Sequence, residues 1–445
     1  MQVPEKFSYL EINSSIQEAL DSIFDTQENT IIIGNAGTGK SEITKIIKHV
    51  SSNDTIFLAP TGVAAVNIEG QTIHSFFRFP PSLITEKDIQ PNEKTALILS
   101  RVKRIVIDEA PMVRVDILEA IDSALKLYNG TKEPFGGIQM VLIGDIFQLS
   151  PITKKDSTEE RYIQDVWKDS FFFNSFAYRS ANWNKIELTK VYRQKDPEFS
   201  SVLNRIRKGY QTDSDLEFIN RRVMNIGKYK DIVDTEDFIY LTAFNKIVDK
   251  ENRKRLSKIN SREYQFEARI EGKINIRNFM IEEILEVKEG AKVMLLTNTL
   301  EWMNGDMGYI QSINGSSITI KLLDGFNVIV EPAEFTEYEY DYDKSKKEIT
   351  KRIKGKITQY PIKLAYAMTV HKAQGQTFNG GYINIGKFFA DHMAYVALSR
   401  FRNIEYLGIS KPITMDDIVI NEQAREFMKN FSKRRKRTID KKTIV

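Results

Sequence analysis

Two short segments carry most of the chemistry that can be read from the residues. Residues 34–41, GNAGTGKS, fit the spacing G-x-x-x-x-G-K-[ST] of a loop that cradles phosphates. Gly34, Gly37 and Gly39 let the backbone N–H groups of the loop, those of Asn35, Ala36 and Thr38 among them, turn inward on an anion. Lys40 is then placed to neutralise β- and γ-phosphates, and the Ser41 hydroxyl to take a position on Mg²⁺. The second segment is Asp108-Glu109, which closes the apolar run RIVID. One carboxylate, Asp108, suits the metal; the other, Glu109, suits polarising an attacking water. A glycine turn beside a surface lysine, or a solvated strand end, would each explain one segment alone. Together the two establish nucleotide hydrolysis, and no more than that.

These residues need elements to position them. Residues 29–64 read as strand NTIIIG, the glycine loop, helix EITKIIKHV and strand TIFLAP, one βαβ unit of a parallel sheet. RIVID at 104–108 and QMVLIGD at 139–145 are further apolar strands with acidic ends, and ligands gather at such carboxyl ends. FIYLTAF at 238–244, KVMLLTN at 292–298 and GYINIG at 381–386, following a helical stretch around SVLNRIRKG, predict a second α/β domain. Between them, GYIQSINGSSITIKLLDGFNVIVEP alternates and carries the hairpin signals Asn314-Gly315 and Asp324-Gly325, which predicts a small β-barrel. EYEYDYDKSKKE after it reads as a charged, exposed stretch. The expected division is 1–190 for the first α/β domain, with a small insertion at about 78–100 around Pro80, Pro81 and Pro91. Residues 191–305 with 358–430 form the second, 306–357 the barrel, and 431–445 a basic tail whose plain explanation is a solvated end.

At 445 residues the chain exceeds one ordinary core. The net charge is only +4, from 64 basic and 60 acidic residues, so nucleic-acid binding cannot be argued from the total. With no cysteine, disulfides, thiolate zinc sites and cysteine nucleophiles are excluded, and four scattered histidines offer no metal-ligand spacing. The start, MQVPEKFSYLEINSS, lacks the basic opening and apolar run of a signal peptide, and no stretch is long and apolar enough to span a bilayer. An intracellular protein without a membrane partner is the expectation.

The motifs and their order resemble those of superfamily 1 helicases, and within them the petite-integration-frequency (PIF) branch of superfamily 1B, close to RecD-type motors. The resemblance covers nearly the whole chain: Gln17, LAPTGVAA at 58–65, GQTIHSFF at 70–77, DEAPMV at 108–113, GDIFQLSP at 144–151, LTKVYRQ at 188–194, FSSVLNRIRKG at 199–209, LTAFNKIVDKEN at 241–252, AYAMTVHKAQGQTF at 365–378 and YVALSR at 395–400. It implies two RecA-like P-loop domains, with a wedge insertion in the first and an SH3-like barrel inserted in the second. It places Gln17 against adenine, Gln148 at the terminal phosphate, and Arg193 and Arg400 as arginine fingers. Pro60, Thr61, Gly62, His74 and Phe76 on the first domain, and Thr369, His371 and Lys372 on the second, become the grips on DNA. Threonine and lysine suit phosphates and rings suit unpaired bases, although Phe76, Phe77 and Phe79 equally suit a core.

The activity implied is that of an ATP- and Mg²⁺-dependent 5′-to-3′ DNA helicase and single-stranded DNA translocase. Its settings would be replication, repair, recombination or telomere maintenance, with G-quadruplexes among its targets. The partners would be single-stranded and tailed or structured DNA, met by a monomer in the cytoplasm of a bacterial-type cell, at the nucleoid. A motor subunit of a repair nuclease and a nucleotide-gated DNA-binding protein are the alternatives. Two positions depart from the family's usual pattern: Pro111 stands for serine, and Ser150 for proline.

Overall fold

A computed structural model describes residues 4–51, 53–148, 151, 157–190, 196–224, 238–343, 348–374, 376–386, 388 and 390–431. It divides into two compact units. Unit 1 is Met1–Tyr192 with Tyr338–Ile353 and Asn421–Val445; unit 2 is Arg193–Glu337 with Lys354–Ile420.

Unit 1 is built on six strands, β1 (Thr30–Gly34), β2 (Thr55–Ala59), β3 (Gln71–Thr72), β4 (Arg104–Ile107), β5 (Gln139–Gly144) and β6 (Asn184–Leu188). They pair in parallel in the order β3-β2-β4-β5-β1-β6. Their apolar runs are unbroken because the sheet is covered on both faces. Ile31, Ile33, Ile105 and Ile107 enter one core, while Ile32, Val106, Val141 and Ile143 enter the other, as the two-residue period requires. Helices α1 (Ser14–Asp21) and α2 (Lys40–Val50) cover the second face, α2 through Ile43, Ile46 and Ile47. Three further helices are α3 (Gly62–Asn67), α4 (Ile73–Phe77) and α5 (Glu93–Leu99). α6 (Val115–Asn129) covers the first face through Ile117, Leu118, Ile121 and Leu125.

Two parts of unit 1 depart from the expected division. Residues 422–431, expected in the second domain up to 430 and in the basic tail at 431, form a helix whose apolar stripe of Ala424, Phe427, Met428 and Phe431 packs on the first core. Phe427 stacks on Phe173 at 4.3 Å. The run EYEYDYD, expected to be exposed, is strand, and Tyr340 within it is only 5% exposed. Tyrosines and acids alternate along it, so one face can be buried while the other stays wet.

Unit 2 holds a parallel sheet of β7 (Phe238–Thr242), β18 (Ala367–Thr369), β19 (Gly380–Ile383) and β20 (Leu407–Ile409). These pair in the order β18-β7-β19-β20 and are the expected second α/β layer. Between β7 and β18 in the chain come β8 (Glu263–Glu267), β9 (Arg269–Gly272) and β10 (Ile284–Lys288). Five more strands follow: β11 (Lys292–Leu295), β12 (Met307–Asn314), β13 (Ser317–Leu322), β14 (Asn327–Val330) and β17 (Ile362–Leu364). They form an antiparallel sheet in the order β14-β13-β12-β11-β17. The hairpins at Asn314-Gly315 and Asp324-Gly325 are where the sequence puts them. The sheet is wider than 306–357, however: KVML pairs antiparallel with β12 and β17 and is no strand of the parallel layer. All four of its residues are buried, so no alternation distinguished it from a parallel strand. β15 (Ala333–Asp343) and β16 (Glu348–Gln359) pair in a third sheet with β9, and the part of them within Tyr338–Ile353 belongs to unit 1.

Lys363 on β17 is an ionisable group inside this framework. Burial, and next the like charge of Lys372, lower its ammonium to about 7, with Glu282 opposing. The folded state thus binds this proton more weakly than the unfolded chain, and the cost to stability is full below pH 7 and fades as pH rises towards the ordinary lysine value. Lys363→Met should therefore raise the unfolding midpoint at pH 6.5 and raise it much less at pH 9.5. Equal gains at both pH values in urea titrations would contradict this.

Candidate functional site

The phosphate loop leaves the carboxyl end of β1 and runs into α2. Gly37 and Gly39 stand at φ 77° and 94°, in the left-handed region that suits glycine, and Gly39 caps the helix. Gly34 admits no side chain, since a Cβ there would lie 2.3 Å from Thr38 Oγ1. Thr38 is buried, its hydroxyl donating to Asn35 O at 2.9 Å, while Ala36 is buried beside it. The Lys40 ammonium donates to Gly34 O at 2.9 Å and Asn35 O at 2.8 Å, so it lies folded over the loop's own carbonyls. Ser41 is exposed in the first turn of α2.

Asp108 and Glu109 follow β4, two strands from β1 with β5 between. Burial pushes the Asp108 carboxyl above the ordinary carboxylate range, while the Glu109 N–H, 3.0 Å away, and the charge of Lys40 pull it down. Glu109 adopts φ 49°, rare for a side-chain-bearing residue, and opens the 3₁₀ turn Ala110–Met112. Among the described residues no cluster of three His, Cys, Asp or Glu side chains could hold a metal alone. A hydroxyl, one carboxylate and nucleotide oxygens form the hard donor set that suits Mg²⁺. Pro111, the departure from the family pattern, rests against β5: a Cβ on Gly144 would lie 2.1 Å from Pro111 Cδ. Beyond Gly144, Asp145 is fully buried and Gln148 nearly so, with the Gln148 amide donating to Asp145 Oδ2 at 3.4 Å. Ser150 lies outside the described residues.

The segments expected to meet DNA leave the same sheet edge. Pro60, Thr61 and Gly62, all partly exposed, follow β2, and the Thr61 hydroxyl accepts from Ala64 N–H at 3.3 Å at the start of α3. His74 is partly exposed on α4, and burial, then the charge of Arg114, lowers its pKa, with Asp116 opposing. Phe76 requires a correction. Its ring is 4% exposed, edge-on to Phe77 and Tyr340, and belongs to the core with Phe77 and Phe79 rather than to a base-stacking surface.

Reasoning from motifs missed Arg114 and Asp116. Asp116 is 1% exposed and accepts from Arg114 Nε at 2.6 Å, from Arg114 Nη2 at 2.8 Å and from Ile84 N–H at 2.9 Å. Arg114 Nη2 also donates to Ser82 O at 3.0 Å. The pair thereby ties the 78–100 insertion to the segment just beyond Glu109. An acid in a helix's first turn is too common to have signalled it.

Gln17 lies on α1, which packs against α2, and its amide donates to Asp21 at 2.7 Å. In unit 2, His371 and Lys372 are exposed after β18, and the buried Thr369 accepts from the Lys372 N–H at 3.3 Å. Arg400 is fully buried, with its guanidinium donating to Val396 O at 2.9 Å, Ala373 O at 3.4 Å, Gln376 O at 3.3 Å and Ser399 Oγ at 2.9 Å. So placed, it braces the loop after His371 and Lys372. Arg193 lies outside the described residues.

A glycine loop after the first strand of a doubly covered parallel sheet, an acidic pair after the strand two places away and a second parallel α/β layer define a P-loop nucleotide hydrolase with two α/β layers. Residues 11–217 match the family described as PIF1-like helicase. The ATP-dependent DNA helicase Pif1 of Campylobacter jejuni is 30% identical over 86% of this chain and 88% of its own length. That of Bdellovibrio bacteriovorus is 27% identical over 95% and 92%. Pif1 from Bacteroides sp in complex with ADP-AlF4 superposes with a TM-score of 0.88 at 31% identity, over 96% of this chain and 98% of that one. The chain belongs to the PIF1-like helicase family and is an ATP-hydrolysing helicase.

The contact between Pro111 and Gly144 should be exacting. Gly144→Ala must displace the Asp108–Met112 segment, and we expect ATP turnover to fall by about 10-fold or more, roughly 1.4 kcal/mol of barrier. Pro111→Ala on that background should restore part of it in a steady-state phosphate-release assay. Normal turnover in the Gly144→Ala enzyme would show the contact to be slack.

Proposed function

We propose that the chain is a Mg²⁺-ATP-driven motor that translocates 5′-to-3′ along single-stranded DNA and unwinds duplex ahead of it. The observation that carries this reading is that five adjacent strands of one sheet each end in a functional segment. β3 leads to His74, β2 to Thr61, β4 to Asp108-Glu109, β5 to Gln148 and β1 to Lys40. Hydrolysis and strand contact thus share one edge, so a change at the phosphates reaches the strand through a few residues of backbone. In the cycle Lys40 exchanges the carbonyls of Gly34 and Asn35 for phosphate oxygens. Ser41 and Asp108 would hold Mg²⁺, which would supply neutralisation of phosphate charge, while Glu109 polarises the water and Gln148 senses the terminal phosphate. Gln17 receives adenine, and Arg193 and Arg400 serve as the fingers. Thr61 and His74 from unit 1, and His371 and Lys372 from unit 2, hold the strand.

DNA as the track is supported by the Bacteroides protein, solved bound to ssDNA at 30% identity with a TM-score of 0.67 over 96% of this chain and 98% of that one. The polarity, action as a monomer, work on structured DNA such as G-quadruplexes, and a place at the bacterial nucleoid rest on the resemblance in motifs. Duplexes with a single 5′ or 3′ tail, given ATP and Mg²⁺, test the central claim: the 5′-tailed substrate should open and the 3′-tailed one should not. Opening of the 3′-tailed duplex alone would reverse the polarity.

Lys40→Ala should abolish turnover yet keep oligo-dT affinity, because the ammonium serves phosphates and not the strand. Glu109→Gln should keep ATP bound and stop its hydrolysis. Substantial turnover in either variant would refute the assigned role.

A further inference from the structure

Tyr340 belongs to a run that neither hydrolysis nor strand contact uses, yet it sits where the unit 1 sheet is incomplete. β3 is two residues long and meets β2 only at Leu58 and Ala59. The Phe57 N–H lies one step before that ladder. It donates to Tyr340 Oη at 2.7 Å, and the phenol leans back towards Phe57 O at 3.5 Å. The Tyr340 N–H donates to Gln71 Oε1 at 3.1 Å, and Gln71 Nε2 donates to Ser75 Oγ at 2.9 Å, within α4. The Tyr340 ring meets Phe76 edge-on at 5.9 Å. Lys351 lies 5.7 Å from the centre of that ring and donates to Glu69 O. A buried N–H left unpaired is costly, so the hydroxyl stands in for a missing strand.

We infer that Tyr340 is a positioning residue for the grip on DNA. By closing the sheet edge at Phe57 and orienting Gln71, it sets the spacing between Thr61, which follows β2, and His74 on the helix that Gln71 braces. The inference rests on reading Thr61 and His74 as strand contacts. It also accounts for the alternation of the acidic tyrosine run. Glu339 and Asp341 pair with Lys94 at 3.4 and 3.7 Å and keep the outer face of the strand polar, while Tyr340 between them plugs the sheet.

The test uses the full chain with Tyr340→Phe, which keeps the ring and removes the hydroxyl. Fluorescent oligo-dT titration should show affinity weakened about 3- to 10-fold, the scale of one hydrogen bond. The DNA concentration that half-saturates ATP turnover should rise in proportion, while turnover without DNA and the KM for ATP stay unchanged. Gln71→Leu should reproduce the effect, and the double variant should be no worse than either single one. A lowered melting temperature with unchanged oligo-dT affinity in both variants would overturn the inference and leave Tyr340 a packing residue. If Tyr340→Phe does not fold, Gln71→Leu decides alone. Thr61→Ala separates the two levels: weakened binding there with unchanged binding in Tyr340→Phe overturns only the positioning role. Unchanged binding in Thr61→Ala overturns the strand-contact reading and the inference with it.

Discussion

A strand buried on both faces can offer polar chemistry only at its ends, and the rest of unit 1 follows from that constraint. Ile31, Ile32 and Ile33 leave no surface along β1, so the loop that binds phosphates has to begin at Gly34. The same holds for β4, whose first polar side chain after Ile107 is Asp108, and for β5, which is apolar from Met140 up to Gly144. Because the strands are parallel, all these exits fall on one edge. The phosphate loop, the acidic pair and the segments proposed to meet DNA are therefore neighbours through burial, before any side-chain chemistry is considered.

What was legible in the residues follows the same logic. Glycine spacing, apolar runs and acidic strand ends are local, so the phosphate loop, the Asp108-Glu109 pair and the parallel layers could be placed. Partnership across long sequence gaps could not. KVML pairs with Met307–Tyr309 and with the still more distant Ile362–Leu364, and nothing in its four buried residues says so. Tyr340 bonds to a residue 283 positions away, and its acidic neighbours made the run look wet. Phe76 follows the exposed Ser75 on a short helix, and its ring could have gone either way until the core around Phe77 and Phe79 was seen.

Two arginines show how a guanidinium ties neighbouring segments together. Arg400 stands where resemblance expects a group reaching for phosphate, and it donates to carbonyls of its own unit, at Ala373, Gln376 and Val396. Arg114 stands in no expected role and is bonded to Asp116, with a second carboxylate, Glu159, 3.8 Å away. Guanidinium forks hold geometry as readily as they hold ligands. Asp116, with both its oxygens engaged and almost no exposure, makes the insertion at 78–100 an extension of the segment that carries Glu109.

Pro111 and Gly144 occupy one shared volume: the ring fills the space that any side chain at 144 would need. A residue larger than glycine at 144 is therefore shut out for as long as the ring keeps its place. A chimaera that kept the DEAPMV segment of this chain and drew the other segment from a protein with a side chain at that position would meet a collision. Exchange of parts is limited here by volume, and the β4–β5 pair with both of its exits is the unit that can be moved without that risk.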